Sequence, residues 1–330
     1  MTPMAGITGM GDTFDLPNFV GELFQITPSD TPLLSAIGGL TGGRPADATL
    51  FQWQTFDLRA GSSTRQQLEG ANAPTAEARV RANVTNVVEI HQEAVDISYT
   101  KQAATGQYNS TGSSHPGSVG IGGSNPVVDE KAWQITQALK SIALDVEQSF
   151  ISGTFNNPAT NASARRTRGI LEAIVTNSVD GAGLALTEDM VLDLMQAVWT
   201  AGGIMESETA TLMCNAYQKR ALTDIFITQK NYQESSRNVA GVAVSTIETD
   251  FGRVNIMLNR HMPVDDIVVL SLEELAPRFL PIPGKGFLFQ EDLAKIGASD
   301  RTQIYGEIGL EYGLETHHGK IHDLYDGTGS

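Results

Sequence analysis

The chain alternates between stretches with no hydrophobic period and stretches with a clear one. Residues 1–43 are rich in Gly, Thr and Pro. They carry scattered apolar beads at Phe14, Leu16, Phe19, Val20, Leu23, Phe24, Leu33, Leu34 and Ile37. Only a short helix fits there, around 19–24, and it cannot cover its own apolar side chains. So many large apolar residues also set the stretch apart from a disordered tail. It is expected to lie as an arm across another surface, its own or a neighbour's.

Residues 44–99 read as two extended runs around a polar middle. The first run covers 49–56 and includes Leu50, Phe51, Trp53 and Phe56; the second covers 84–99. In the second, Val88 and Ile90 share one parity, while Val95, Ile97 and Tyr99 share the other. Strand parity decides which face a side chain occupies, so a bulge or twist is expected near Glu93-Ala94. Between the runs, Leu68 is almost the only large apolar residue from Arg59 to Arg81. The segment reads as a long two-stranded flap with a mobile tip. An isolated hairpin is marginal in water, so the flap needs a surface to lie on.

A Gly/Ser-rich connector spans 102–124. Asn125 then supplies a helix N-cap and Pro126 the first helical position, with Asp129 and Glu130 in the early turns. The stripe Ile135, Leu139, Ile142, Val146, Phe150 follows at helical spacing. Ser152-Gly153 stops it. The predicted helix, about 126–151, is roughly 39 Å long at 1.5 Å per residue. Burying its five stripe residues contributes about 8–15 kcal/mol before conformational entropy is counted.

Residues 170–290 alternate helix and strand. Leu186-Thr187-Glu188-Asp189 opens a helix carrying Val191, Leu194, Met195, Val198 and Trp199; 215–226 is another. Segments 246–249 and 254–258 flank Asp250-Phe251-Gly252-Arg253 as a hairpin. A buried strand is expected at 267–270 and another at 278–283. Residues 301–324 alternate as strands, with Gln303, Tyr305 and Glu307 opposed to Ile304, Ile308 and Leu310. No internal repeat of fixed period occurs.

Composition adds two constraints. The chain has 330 residues, 41% of them hydrophobic and only 18% charged. That is enough for more than one packed unit, with much uncharged surface available for contact. The net charge is −16. Nucleic-acid binders usually carry a basic patch. Here the one tight basic cluster is Arg165-Arg166-Arg168, without interleaved aromatics. The chain as a whole should be repelled by phosphate backbones. The single cysteine, Cys214, cannot form an internal disulfide, which suits a reducing cytoplasm. No signal peptide and no membrane helix are expected.

Candidate chemistry is thin. Asp250-Phe251-Gly252 spells a kinase magnesium motif, but the glycine-rich loop, strand lysine and catalytic loop are missing; a turn accounts for it. Gly117, Gly120, Gly122 and Gly123 lack the lysine of a phosphate loop. Of His317, His318 and His322, the last two share a strand face, roughly 13 Å apart at 3.3 Å per residue, too far for one ion. Glu188-Asp189 and Asp265-Asp266 read as a helix start and a turn. No catalytic, cofactor or metal residue is assigned.

The order of elements and several local runs resemble the major capsid proteins of tailed bacteriophages, which implies their α+β, Hong Kong 97-like fold. The runs are 129–134 and 145–150 in the long helix, Arg165-Arg166-Thr167-Arg168-Gly169-Ile170-Leu171, Thr249-Asp250-Phe251-Gly252-Arg253-Val254 and Asn259-Arg260-His261-Met262-Pro263. Leu293-Ala294-Lys295-Ile296-Gly297, Glu307-Ile308-Gly309-Leu310-Glu311 and Gly319-Lys320-Ile321 complete the set. The resemblance implies an N-terminal arm (1–43), an E-loop hairpin (44–99) and a P-domain with a spine helix (100–170). An A-domain (171–290) and C-terminal strands returning to the P-domain (291–330) follow.

It further implies hexamers and pentamers of one chain, building an icosahedral shell around double-stranded DNA. That DNA would be held without sequence-specific binding. Assembly would take place in the bacterial cytoplasm, and the shell would be that of a virion. Portal, scaffolding and decoration proteins are the candidate partners, with no membrane and no cofactor. Inter-subunit contacts would come from Arg59, Arg65, Leu68, Glu69, Arg79 and Arg81 of the E-loop and from Phe14, Leu16, Phe19, Leu23 and Phe24 of the arm. Ile135, Leu139, Ile142, Val146 and Phe150 would form the spine-helix core. The family's lysine–asparagine cross-link is not expected through this loop, since 44–100 contains no lysine. The stretch before the E-loop is also too short for a helical scaffolding segment, so a separate scaffolding protein, or none, is expected. An encapsulin-type nanocompartment shell, which shares the fold, is the alternative.

Overall fold

The computed structural model describes residues 25–104, 129–204, 210–228, 246–249 and 251–327. Two compact units divide them. The described residues of Met1–Ser29, Glu93–Ser141 and Gln290–Ile304 form one, and those of Asp30–Gln92, Ile142–Phe289 and Tyr305–Ser330 the other.

The elements in chain order begin with helix α1 (Pro32–Ala36) and strands β1 (Arg44–Pro45), β2 (Leu50–Phe56), β3 (Arg81–Val87) and β4 (Glu89–Ser98). Helices α2 (Tyr99–Ala104), α3 (Glu130–Ser152) and α4 (Ile170–Ala173) follow, then β5 (Ser178–Asp180), α5 (Glu188–Thr200), β6 (Ala210–Cys214) and α6 (Ala216–Thr223). The chain closes with β7 (Thr246–Thr249), β8 (Gly252–Leu258), β9 (Ile267–Ser271), β10 (Ala276–Phe279), β11 (Leu288–Asp292), β12 (Ser299–Glu311) and β13 (Gly319–His322).

The expected flap is a two-stranded sheet. β2 and β3 pair antiparallel, from Leu50 opposite Val87 out to Phe56 opposite Arg81. The break in parity lies at Val88 and not at Glu93-Ala94. Val87 and Val88 are both fully buried, and β4 pairs with β12 instead of β2. Beyond Val88 the parity holds, with His91 and Ile97 buried on one face. The strand changes partner sheets there, so consecutive side chains both meet core.

The long helix is present as α3, 23 residues. The expected opening at Asn125-Pro126 lies outside the described residues. Asp129 Oδ1 accepts from Lys131 N (2.9 Å) and Ala132 N (3.2 Å), capping α3. Its stripe needs one correction. Ala138, Ile142, Val146, Phe150 and Ile151 are buried, Ile135 is half-buried, and Leu139 is 39% exposed. At 100° per residue the buried face drifts toward Glu147 and Ile151, which leaves Leu139 at its edge.

The largest sheet runs β5-β13-β9-β6-β8-β7. β6 and β9 are buried along their whole length, as expected of central strands covered on both faces. Helix α5 packs on this sheet. Thr187 caps it by accepting from Met190 N, and Val191, Leu194, Met195 and Val198 join Leu212, Cys214, Ile267, Val269 and Ile321 in one core. Gly319 makes the approach close: a Cβ there would sit 2.7 Å from both Leu194 Cδ1 and Val198 Cγ2. Trp199 points outward, 56% exposed. Helix α6 starts at Asn215, whose Oδ1 accepts from Tyr217 N. β7 and β8 pair antiparallel as expected, with Glu248 opposite Arg253.

Two boundaries differ from the sequence reading. The strand expected over 278–283 is β10, Ala276–Phe279, which pairs with Glu311–Ile308 of β12. Strand β13 pairs with β5 and β9, so residues 319–322 complete the sheet of the 171–290 segment. The sequence reading places all of 291–330 with the 100–170 segment. Ile321 supplies the reason: it is fully buried in that core.

Candidate assembly surface

The flap is anchored at its root and bare at its tip. At the root, Phe51 packs with Ala46 and Val88, flanked by Trp53 and Leu280. Trp53 Nε1 donates to Gly313 O at 2.7 Å, and its ring meets Tyr312 edge-on, centroids 4.9 Å apart. Asn86, fully buried, donates through Nδ2 to Leu310 O (2.7 Å) and Arg168 O (3.1 Å), and Oδ1 accepts from Arg168 N (2.8 Å). Gly309 lets the root approach β12, since a Cβ there would lie 2.7 Å from Val87 O and from the Phe51 ring.

Toward the tip this support ends. Residues 57–80 contain no strand and are exposed throughout. Phe56, Leu58, Leu68 and Val80 all stand in solvent, Leu68 at 87%. The tip's polar groups pair with each other. Glu77 binds Arg65 and, at 3.3 Å, Arg79. The hydrogen bond and charge of Arg65 hold the Glu77 carboxyl below its ordinary range. Arg81 Nη1 donates to Gln54 Oε1 (3.0 Å), and Arg59 to Ala60 O (3.1 Å). Glu69 is exposed. Thus the six E-loop residues named from sequence all lie on the exposed flap.

The five arm residues, Phe14, Leu16, Phe19, Leu23 and Phe24, lie outside the described residues. Residues 25–36 are described, and sequence reasoning missed what holds Leu33 and Leu34. Glu147 of α3 is fully buried. Its Oε1 accepts from Leu33 N (2.9 Å) and Asn259 Nδ2 (2.6 Å), and its Oε2 from Leu34 N (2.7 Å). Arg260 Nε reaches both Asp30 carboxyl oxygens, at 3.0 and 3.1 Å. The available signal was Glu147's phase: it precedes Phe150 by three and Ile151 by four, so it shares their buried face.

Among the described residues, the groups singled out as candidate chemistry are held in structural contacts. Burial pushes the Cys214 thiol up to about 12, against a weaker pull from Lys219, which removes the thiolate a nucleophile needs. His318 is fully buried with both ring nitrogens engaged: Nδ1 accepts from Ser271 N and Nε2 donates to Tyr312 O. His317 binds Glu274. Among the described residues no group of three metal-ligating side chains converges, and no helix is long and apolar enough to cross a membrane. The glycines at 117–123 lie outside them. Of the basic cluster, Arg165 pairs with Glu307 (2.8 Å), while Arg168 pairs with Glu172 (3.6 Å) and stacks on Phe155. These two cations are used internally.

A family model described as SU10 major capsid protein matches residues 6–325. The major capsid protein of Escherichia phage Phieco32 is 22% identical over 340 residues, covering 89% of this chain and 90% of that protein. The capsid of cyanophage A-1(L) superposes with a TM-score of 0.63 at 12% identity, covering 97% of this chain and all of the other (100%). The SrpI encapsulin of Synechococcus elongatus gives 0.57 at 11% identity, covering 97% of this chain and 96% of the other. The fold is the α+β, Hong Kong 97-like one that the sequence motifs resemble.

Proposed function

The chain belongs to the SU10 major capsid protein family, a structural component of phage capsids, and from that premise we propose how its copies assemble. Hexamers and pentamers of this one chain close into an icosahedral shell around double-stranded DNA. The E-loop of each copy, 44–99, lies on the neighbouring copy, and the arm, 1–43, lies across a neighbour as well. Residues 100–170 act as P-domain and 171–290 as A-domain, the latter clustering about the local axes.

The single observation carrying this reading is the flap, rooted through Asn86 and Trp53 and presenting Phe56, Leu58, Leu68 and Val80 to solvent. Burying four such side chains would contribute about 6–10 kcal/mol per contact before ordering costs. The chain's net charge of −16 supports a container whose contents slide and leave, since it disfavours sequence-independent phosphate binding. The shell assembles in the bacterial cytoplasm, performs no catalysis, and works with portal, scaffolding and decoration proteins. Membership in a phage capsid family favours this reading over an encapsulin.

Replacing residues 62–76 with a short Gly-Ser link tests it. The variant should keep a cooperative melt while electron micrographs show few closed particles. Normal shells from the variant would refute the flap's role.

A further inference from the structure

Where β4 meets α3, one polar group is left over. His91 is buried, 6% exposed, and its Nε2 has no hydrogen-bond partner among the described residues. The nearest carboxyl oxygen is Glu89 Oε1, at 3.9 Å. That oxygen already accepts from Ser149 Oγ on α3 (3.2 Å), while Glu89 Oε2 accepts from Thr167 N (3.1 Å). Glu89 therefore ties its strand both to the helix and to the 165–169 segment.

Two charged groups bear on the ring: Glu89 from its own strand and Asp145 from α3, one helical turn before Ser149. From the 165–169 segment, the Thr167 backbone amide donates to Glu89 Oε2. Burial holds the ring's pKa below the ordinary 6.5, against the pull of both carboxylates. At neutral pH His91 is uncharged and Glu89 serves Ser149.

We propose that His91 is a proton-operated switch on the grip between β4 and α3. A proton taken from solvent gives the ring a hydrogen on each nitrogen. Nε2–H then faces Glu89 Oε1 and needs to close by only about 1 Å to make a charge-assisted hydrogen bond. Glu89 Oε1 exchanges Ser149 for His91, and the freed hydroxyl turns to the helix carbonyl one turn back. The strand's bond to the helix becomes a bond within the strand. His318 cannot act this way. Its Nδ1 faces the Ser271 amide, a donor, so a second proton there meets no acceptor.

The sign follows from the depressed folded-state pKa. The neutral arrangement contributes fully above about 6.5, and its contribution is lost as pH falls through the folded-state value. The inference stands apart from the assembly reading, because it concerns contacts inside one copy.

Hydrogen exchange of the full-length protein tests it, followed over a pH series from about 7.5 down past the ordinary histidine value of about 6.5 to well below it, because the folded ring titrates lower. After correction for intrinsic rates, peptides covering 89–92 and 145–150 should exchange several-fold faster at the low end of the series. Peptides covering 210–214 and 267–271 should not change. His91→Gln should abolish the local acceleration. Asp145→Asn removes a carboxylate that favours the cation and should move the midpoint to lower pH, a readout that does not depend on the His91 variant folding. A uniform change along the chain, acceleration that survives in His91→Gln, or an unmoved midpoint in Asp145→Asn would overturn the proposal.

Discussion

Asn259 donates its side-chain amide to Glu147 Oε1 across 2.6 Å, and both groups are buried. The remaining capacity of Glu147 goes to the Leu33 and Leu34 amides. These are orphan donors at the start of α1 that no helical carbonyl can serve. A single side chain thus ties α3 to the start of α1 and to the turn after β8.

Glu147→Ala strands three buried donors at once. The expected loss is about 3–5 kcal/mol in denaturant unfolding, because each abandoned donor carries its full desolvation cost. Glu147→Gln keeps one acceptor oxygen and should lose less, roughly 1–3 kcal/mol.

The two halves of α3 should respond oppositely to substitution. Phe150 is fully buried, so Phe150→Ala should cost about 3–5 kcal/mol. Leu139 is 39% exposed, so Leu139→Asp, which the ideal stripe alone predicts to block folding, should instead leave a folded subunit at a cost of about 1–2 kcal/mol from lost burial and lower helix propensity. Soluble yield and a thermal melt of each variant decide the matter.

Asp266 should carry a pH signature. Burial first, then the neighbouring Asp265, pushes its carboxyl up to about 6 from 3.8. A raised folded-state value means the native protein holds a proton that the unfolded chain would release. This site therefore destabilises the protein above about pH 6 and ceases to do so near 3.8. Asp266→Asn should raise the melting temperature at neutral pH, by an amount reduced through solvent screening at a half-exposed group. The gain should vanish as the pH approaches 4. A gain independent of pH would point to packing instead.

No lysine occurs in residues 44–100, so a lysine-dependent covalent bond cannot start from this loop. Assembled particles, boiled and reduced, should run as monomer on a denaturing gel. A ladder of multimers would show a cross-link formed elsewhere.

Much of this architecture is legible in the sequence. Helical spacing and caps at Thr187 and Asn215 announce α5 and α6, and the apolar run at 267–270 announces a strand buried on both faces. The flap shows itself through its poverty in apolar residues. Three things stay hidden. The partner change at Val88 looks like a bulge, because a strand shared between two sheets and a kinked strand give the same parity break. Leu139 fits an ideal stripe that the real helix, turning past its neighbours, does not present. Glu147 and His91 read as ordinary polar positions, since their meaning depends on donors 112 to 114 residues away for Glu147 and on Ser149 and Thr167 for the Glu89 beside His91. Local pattern carries no record of such pairings.

The exposed flap and the arm are expected to become stable only against identical copies. Sedimentation velocity of the full-length protein at rising concentration tests it most directly. The boundary should be dominated by large closed particles, with little intermediate material. A single compact species of about 35 kDa, unchanged at the highest concentration, would contradict it.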